Sequence, residues 1–177
     1  MLKQLADLGY SLIKLNADER TVQLREKFPS APQDDLNLKA AIEIDQEVVD
    51  CINGGRSFVI ETVLSLNKYR DDVIATKEKA FKIGLIYVSL YPPELSPQRV
   101  QVRVDKRGHN VDHDKAIKRH RKSHEQLSLF APQADALFVF DNSSDPNQPV
   151  LVALREGVKP IKYFAPGVNP AIDNALK

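Results

Sequence analysis

The stretch that decides the fold is LIYVSL, residues 85–90, a continuous apolar run that Pro92-Pro93 ends. A short run of apolar, β-branched and aromatic residues that is closed by prolines predicts a buried strand. Similar runs occur at Ser11–Leu15, Ser57–Ile60 and Ala136–Phe140, and segments with helical patterns separate them. Strands of this kind that alternate with helices predict an α/β fold with a mostly parallel sheet flanked by helices.

The spacing of apolar residues predicts three helices, over residues 17–27, 36–52 and 70–82. Runs at 150–154 and 161–164 flank Glu156-Gly157 and predict a terminal hairpin. We expect a single domain over residues 1–165, with a tail over 166–177 that is a short helix or disordered.

Composition limits the class of protein. The chain of 177 residues carries 25 lysines and arginines against 24 aspartates and glutamates, a net charge of +1. General nucleic-acid and membrane-surface binders usually carry a basic excess, so this balance argues against both. The single Cys51 excludes an internal disulfide and fits a reducing compartment. Since neither a secretory signal nor an apolar run long enough to cross a bilayer is visible, we expect a cytoplasmic protein without membrane contact.

One region departs from this charge balance. Residues 99–127, which we call the cationic segment, hold five arginines, four lysines and all four histidines in a helical pattern. Such a segment on an α/β body suggests closure over a polyanion, most simply a nucleotide phosphate. The alternative is a solvated helix face, partly paired with four acidic residues, Asp105, Asp112, Asp114 and Glu125.

The histidines of this segment form two His-x-x-x-His pairs, His109 with His113 and His120 with His124. One helical turn with this spacing can hold zinc. No cysteine lies nearby and no glutamate stands in a metalloprotease arrangement, so no metal site is predicted.

Polar residues follow the predicted strands where a parallel sheet binds its ligands, beyond the carboxyl ends. They are Asn16 and Asp18 after the first strand, Glu61 and Thr62 after the second, Tyr91 after the third, and Asp141 and Asn142 after the fourth. Three of these sites also have a plain structural explanation. Asp18 could be a helix N-cap, Glu61-Thr62 could end a strand, and Asp141-Asn142-Ser143 could be an ordinary turn.

Six short motifs occur in the order seen in zeta-toxin-like P-loop kinases. They are Leu15–Glu19, Ser57–Thr62, Arg99-Val100 with Arg103-Val104, Gly108–Val111, Arg119–Ser123 and Asp141–Ser143. The chain resembles this family from Gly9 to Leu154, and no single motif among the six is strong. The resemblance implies a P-loop kinase-like three-layer sandwich with a lid around residues 94–127.

The resemblance also implies an activity: transfer of phosphate from ATP or GTP, with Mg²⁺, to the hydroxyl of a small molecule such as a UDP-activated amino sugar. Asp18 would accept the hydroxyl proton, and Arg99, Arg103 and Arg119 would neutralise charge on the transferred group. The acceptor would be bound by Asn16, Glu61, Thr62, Arg107, His109 and Lys122, and the nucleotide by Asp141 and Asn142. Arg107 stands where the family often has glycine. The family further implies an antitoxin protein as a possible partner.

The sequence lacks the motif that defines a P-loop kinase, GxxxxGKS or GxxxxGKT between a strand and a helix. Its only Gly-Gly, Gly54-Gly55, precedes a predicted strand, and residues 1–9 match the helix that follows the phosphate loop in the family. The chain therefore reads as though it begins after that loop, without the strand that lies in the middle of the family's sheet. We expect the chain alone to be poorly stable or to close its sheet differently.

Two alternatives to a kinase stay open. A remnant or binding module of the same fold would have kept the body and the cationic segment without activity. A nucleic-acid-associated protein would use the cationic helices directly, and the near-neutral net charge makes this the weaker of the two.

Overall fold

The computed structural model describes residues 11–105, 112–145 and 148–177, and for 101–105 only the backbone. The chain divides into two units, each with its own apolar cluster. Unit 1 contains the described residues up to Thr62 together with Ile74–Lys79. Unit 2 contains Val63–Val73 and the described residues from Ala80 onward. The helix expected over residues 1–9 lies outside the described residues.

Unit 1 consists of a parallel strand pair and two long helices. Strand β1 (Ile13–Leu15) pairs with β2 (Phe58–Ile60), in a register that sets Ile13 against Phe58 and Leu15 against Ile60. Helix α1 (Ala17–Lys27) follows β1, and α2 (Gln33–Asn53) leads back to β2. Leu15 has no exposed surface and belongs to the same cluster as three residues of α2, Ile44, Val48 and Ile52.

The two helices of unit 1 contact each other through both apolar and charged side chains. Leu24 of α1 clusters with Leu36 and Ala40 of α2. The guanidinium of Arg20 donates to Glu43 at 2.9 Å and to Glu47 at 2.7 Å. Because these two carboxylates are four residues apart on one face of α2, one forked cation engages both.

Unit 2 contains a mixed four-stranded sheet in the order β3-β4-β5-β6. Its strands are β3 (Gly84–Ser89), β4 (Ala136–Asp141), β5 (Val150–Glu156) and β6 (Lys162–Tyr163). Strands β3 and β4 are parallel, whereas β5 pairs antiparallel with both β4 and β6. Gly157, with φ of +60°, follows β5 and allows the tight turn toward β6.

Helices cover one face of this sheet. Helix α3 (Arg70–Glu78) has residues in both units, and α4 (Leu95–Asp105), α5 (His113–Phe130) and α6 (Pro170–Ala175) belong to unit 2. Leu127 and Phe130 of α5 and Ile172 of α6 form the core with Leu137 and Val139 of β4.

The predicted α/β class is confirmed, and the predicted strands, helices and terminal hairpin all form. Two helices have bounds that differ from the predicted ones. Helix α2 begins at Gln33 rather than 36, because Asp34 and Asp35 suit a first helical turn. Helix α3 ends at Glu78 rather than 82, because Ala80 adopts φ of +58°, which a right-handed helix cannot continue.

The predicted single sheet with helices on both faces is not what forms. The strands lie in two sheets, and only the β1–β2 and β3–β4 pairs are parallel. Strand β2 is half-buried rather than buried. On β3, Ile86 is 43% exposed and Val88 54% exposed, so this face of the sheet is not covered as a three-layer sandwich requires. The P-loop-like sandwich is therefore not confirmed.

Candidate functional site

The end of β1 in unit 1 is organised by Asn16. Its side-chain oxygen accepts hydrogen bonds from the backbone N–H of Asp18 at 2.8 Å and of Glu19 at 3.1 Å, so Asn16 is the N-cap of α1. Its side-chain nitrogen donates to the Glu61 carboxylate at 2.8 Å. One amide therefore starts the helix and also fixes the first residue after β2.

Asp18 lies in the first turn of α1 and is exposed. Within the described part of the chain its carboxylate makes no hydrogen bond and no ion pair, and only its backbone N–H is engaged. The plain interpretation of Asp18 as the N-cap is wrong, because Asn16 has that role. A carboxylate in the first turn is favoured by the helix dipole and stays open to a ligand.

The neighbouring charges make this edge acidic. Lys14 forms an ion pair with Glu19, and its pKa is raised chiefly by that hydrogen bond, with a further contribution from the charge of Glu61. The Lys14 ammonium thus faces two carboxylates, those of Glu19 and Glu61, around the end of the β1–β2 pair. Thr62 is exposed beside Glu61 and has an interaction of its own. Carboxylates and amides in this arrangement can accept hydrogen bonds from the hydroxyl groups of a ligand.

The corresponding strand end in unit 2 is organised by Asp141, which is 4% exposed. One oxygen of its carboxylate accepts from the Asn169 amide at 2.8 Å and from the Ser143 hydroxyl at 2.7 Å. The other oxygen accepts from the backbone N–H of Ser143 at 3.1 Å. The backbone N–H of Asn142 donates to the carbonyl of Ser89 at 2.8 Å, so the ends of β3 and β4 are joined.

A chain of hydrogen bonds continues from Asn169 into the interior of unit 2. The Asn169 amide also donates to the Ser89 hydroxyl at 3.1 Å, and Ser89 lies 2.8 Å from Nε2 of His124. Nδ1 of His124 lies 2.9 Å from the carbonyl of His120, which can only accept, so Nδ1 carries the proton. Nε2 is then the acceptor, and the Ser89 hydroxyl donates to it.

Burial shifts the pKa values of two ionisable groups in and beside this series of hydrogen bonds, His124 and Tyr87. Burial lowers the pKa of His124, although its bond to the His120 carbonyl acts in the opposite direction. The His120 ring lies 4.4 Å from that of His124, and Tyr87 meets His124 edge-on at 5.5 Å. Burial also raises the pKa of Tyr87 to about 12, although its bond with the Ser123 hydroxyl opposes this shift. Both groups are therefore neutral near pH 7.

Part of the predicted cationic lid lies near Asp141. The Arg99 guanidinium donates to the carbonyl of Ser143 at 3.3 Å, which brings Arg99 close to the end of β4. Arg119 and Lys122 both lie on α5, as predicted, with Lys122 exposed and Arg119 half-buried. Arg103 lies on α4, but its side chain is not described. Arg107 and His109 fall outside the described residues.

The predicted site residues thus fall into two groups, one in each unit. In unit 1 the structure brings Asn16, Asp18 and Glu61 together, and in unit 2 it brings Arg99, Asp141 and Asn142 together. Sequence reasoning missed Ser89 and Asn169. Ser89 is the one serine in a mostly apolar strand, and Asn169 precedes Pro170, a combination typical of a helix start.

The fold and these strand ends define an α/β protein with polar groups beyond the carboxyl ends of its parallel strands. In the described ranges, no three His, Cys, Asp or Glu side chains are grouped as metal ligands, and no helix is both long and apolar enough to cross a membrane. Comparisons with protein-family models, with curated proteins and with solved structures gave no match.

Proposed function

We propose that this chain belongs to a zeta-toxin-like phosphotransferase and binds the hydroxyl-bearing acceptor at unit 1. The observation that carries this proposal is the 2.8 Å hydrogen bond from Asn16 to Glu61, made beside the unengaged Asp18 carboxylate. Three polar residues that follow two different strands meet there, as binding beyond the ends of a parallel pair requires.

Each residue has a chemical role in this proposal. Glu61 and Asn16 hold each other in place, and Glu61 accepts a hydrogen bond from one hydroxyl of the acceptor. Asp18 accepts the proton of the reacting hydroxyl as its oxygen bonds to the terminal phosphorus of a nucleoside triphosphate and the bond to the leaving diphosphate breaks. The Asp18 carboxylate needs no further activation for this role, because phosphoryl transfer depends mainly on positioning and on neutralising charge.

The strand pairing also supports the proposal. The β1–β2 and β3–β4 pairs are both parallel, as the strands of the sheet that the resemblance implies would be.

Unit 2 supports the proposal less directly. Arg99 is the cation that lies near Asp141 and Asn142, where the resemblance implies nucleotide contacts. The residues present do not themselves form a triphosphate and Mg²⁺ site, since the sequence has no phosphate loop. Transfer therefore requires that loop in addition.

Acceptor binding can be tested without the loop. UDP-N-acetylglucosamine, titrated into the full chain, is expected to shift the amide NMR signals of Asn16, Asp18 and Glu61. Glu61→Ala should weaken binding about tenfold, the loss of one hydrogen bond to a charged group. The matched control is Glu26→Gln, an exposed carboxylate on the same helix as Asp18. No shift at millimolar ligand, or an equal loss in the control, would refute an acceptor site here.

A non-enzymatic binding module of the same fold is the second candidate, and the missing phosphate loop favours it. The coding sequence upstream of residue 1 separates the two. An in-frame strand followed by GxxxxGKS or GxxxxGKT supports the kinase, and Asp18→Ala in the longer protein should then abolish transfer with nucleotide affinity retained. A stop codon or unrelated sequence supports the binding module.

A further inference from the structure

Helix α5 has a buried face and a cationic surface beside it. Its buried residues are Ala116, Ser123, His124, Gln126, Leu127 and Phe130. The rest of its surface carries five cations within eight residues, Lys115, Lys118, Arg119, Arg121 and Lys122, which we call the cationic face. Lys118, Arg121 and Lys122 lie away from the buried residues, whereas Arg119 lies at the border with them, three residues after Ala116 and four before Ser123. All are exposed except Arg119, which is half-buried. Because residues three and four apart lie on one side of a helix, these cations form a continuous surface.

The cationic face is not neutralised by the protein. Among the described residues, none of its five cations forms an ion pair or a side-chain hydrogen bond. Asp114 on this helix lies within 3.3 Å of His113 instead, and the Asp112 carboxylate caps the helix by accepting from the backbone of Lys115. The exposed carboxylates of Asp114 and Glu125 lie four residues from Lys118 and Arg121, and neither forms an ion pair with these cations among the described residues.

We infer that the cationic face is a binding surface for the phosphate backbone of a double-stranded nucleic acid. From Lys115 to Lys122 the helix rises about 10 Å. A duplex presents one phosphate charge per about 1.7 Å of its axis, so several phosphates lie within reach of this length of helix. Cations without fixed partners suit such contacts, which require charge rather than a preformed shape.

Two features favour a duplex over other polyanions. A protein partner needs a central apolar or aromatic anchor, and the large apolar side chain that α5 exposes, Leu129 at 50%, lies seven residues beyond Lys122, the last of the five cations. Single-stranded nucleic acid is held by stacking on aromatic rings, and the only Phe, Tyr or Trp of α5 is the buried Phe130. A surface of charge alone fits sequence-independent contacts to a duplex backbone.

The low net charge of the chain does not oppose this inference, because the charges are segregated. Helix α2 carries six carboxylates against one lysine, and these offset cations that lie elsewhere in the sequence. The chain as a whole is still not expected to bind nucleic acid over its entire surface. The inferred contact with the duplex is made by α5 alone. The inference does not rest on the proposed phosphotransferase activity.

The test is the salt dependence of binding between the full chain and a 20-base-pair DNA duplex, measured by fluorescence anisotropy. If four or five phosphates are contacted, log Kd should rise with log salt with a slope of about 4. The variant Lys115→Gln/Lys118→Gln/Arg121→Gln removes three cations that the proposed phosphotransferase does not use. Its slope should fall by about 2 to 3, since each contact contributes about 0.9.

The control variant Lys27→Gln/Arg56→Gln/Lys162→Gln makes the same charge change at exposed positions away from α5 and should keep the slope of the unaltered chain. Circular dichroism checks that each variant is folded. No binding at 20 mM salt would overturn the inference, as would an equal loss in the control. Tighter binding of poly-glutamate or of single-stranded DNA than of the duplex would overturn it in favour of that polymer.

Discussion

Single asparagines organise both strand ends of this chain. Asn16 caps α1 and bonds to Glu61, and Asn169 caps α6 and bonds to Asp141 and Ser89. An asparagine amide can accept at its oxygen and donate at its nitrogen at the same time, which an aspartate cannot. Sequence patterns identify asparagine as a capping residue, but the second contact depends on a residue 45 positions away for Asn16 and 28 or 80 away for Asn169. Tertiary structure alone supplies that information.

His124 is expected to make unit 2 sensitive to acid. Burial lowers its pKa in the folded chain below the ordinary value of 6.5, so the unfolded chain binds a proton more readily. The contribution of His124 is therefore fully present above pH 6.5 and is lost as the pH falls from there toward the lowered folded pKa. The slope cannot exceed about 1.4 kcal/mol per pH unit for one group.

The measurement is the free energy of unfolding by urea between pH 7.5 and 5.5, compared with the variant His124→Gln. The difference between the two proteins should shrink as the pH falls, because glutamine does not titrate. His113→Gln, which removes a largely exposed imidazole on the same helix, should follow the unaltered chain. Parallel curves for the unaltered chain and His124→Gln would contradict the assignment.

At the scale of elements, the shortest helix is attached to the sheet by polar contacts as well as apolar ones. Helix α6 has six residues and places Ile172 in the core, while its cap Asn169 is 2% exposed. Asn169→Ala removes the cap and both amide donors, and it leaves the buried Asp141 carboxylate with fewer partners. We expect a loss of about 3 kcal/mol, the sum of a lost cap and an undersatisfied buried charge.

Chemical denaturation of Asn169→Ala measures this loss. Asn174→Ala is the matched control, because Asn174 is exposed on the same helix and contacts only Lys177 among the described residues. The control should change stability by less than about 0.5 kcal/mol, as surface substitutions usually do. Equal stability of the two variants would mean that the Asn169 network does not hold α6 in place.

The elements themselves follow closely from the sequence, because local patterns determine them. The spacing of Leu36, Ala40, Ile44 and Val48 predicts α2, and the LIYVSL run predicts β3 within one residue at each end. The pairing of the strands is less predictable, because it depends on which strands, distant in the sequence, lie side by side in the fold. The alternation of strands and helices implies parallel neighbours, which is correct for two pairs. It does not reveal that the strands separate into two sheets.

For the whole molecule, the two units differ in how their strands are supported. Among its described residues, unit 1 has only the three-residue pair β1–β2, in which β2 is half-buried. In unit 2, β4 has a neighbour on each side and contains the fully buried Leu137 and Val139. Two-stranded sheets are marginal without further packing, so the core of α1 and α2 must provide most of the stability of unit 1. We expect native-state hydrogen exchange to open β2 at a lower free energy than β4.

Exchange followed by NMR at increasing urea would measure this difference, with the amides of Val59 and Val139 as the probes. An opening free energy for Val59 below that for Val139 means that the strand pair of unit 1 opens while the sheet of unit 2 stays closed. If a partner strand were supplied to β1–β2, protection of Val59 should rise toward that of Val139, since paired and buried amides exchange only through larger openings. Equal protection of both amides in the chain alone, with a cooperative thermal transition above about 60 °C, would contradict this difference between the two units.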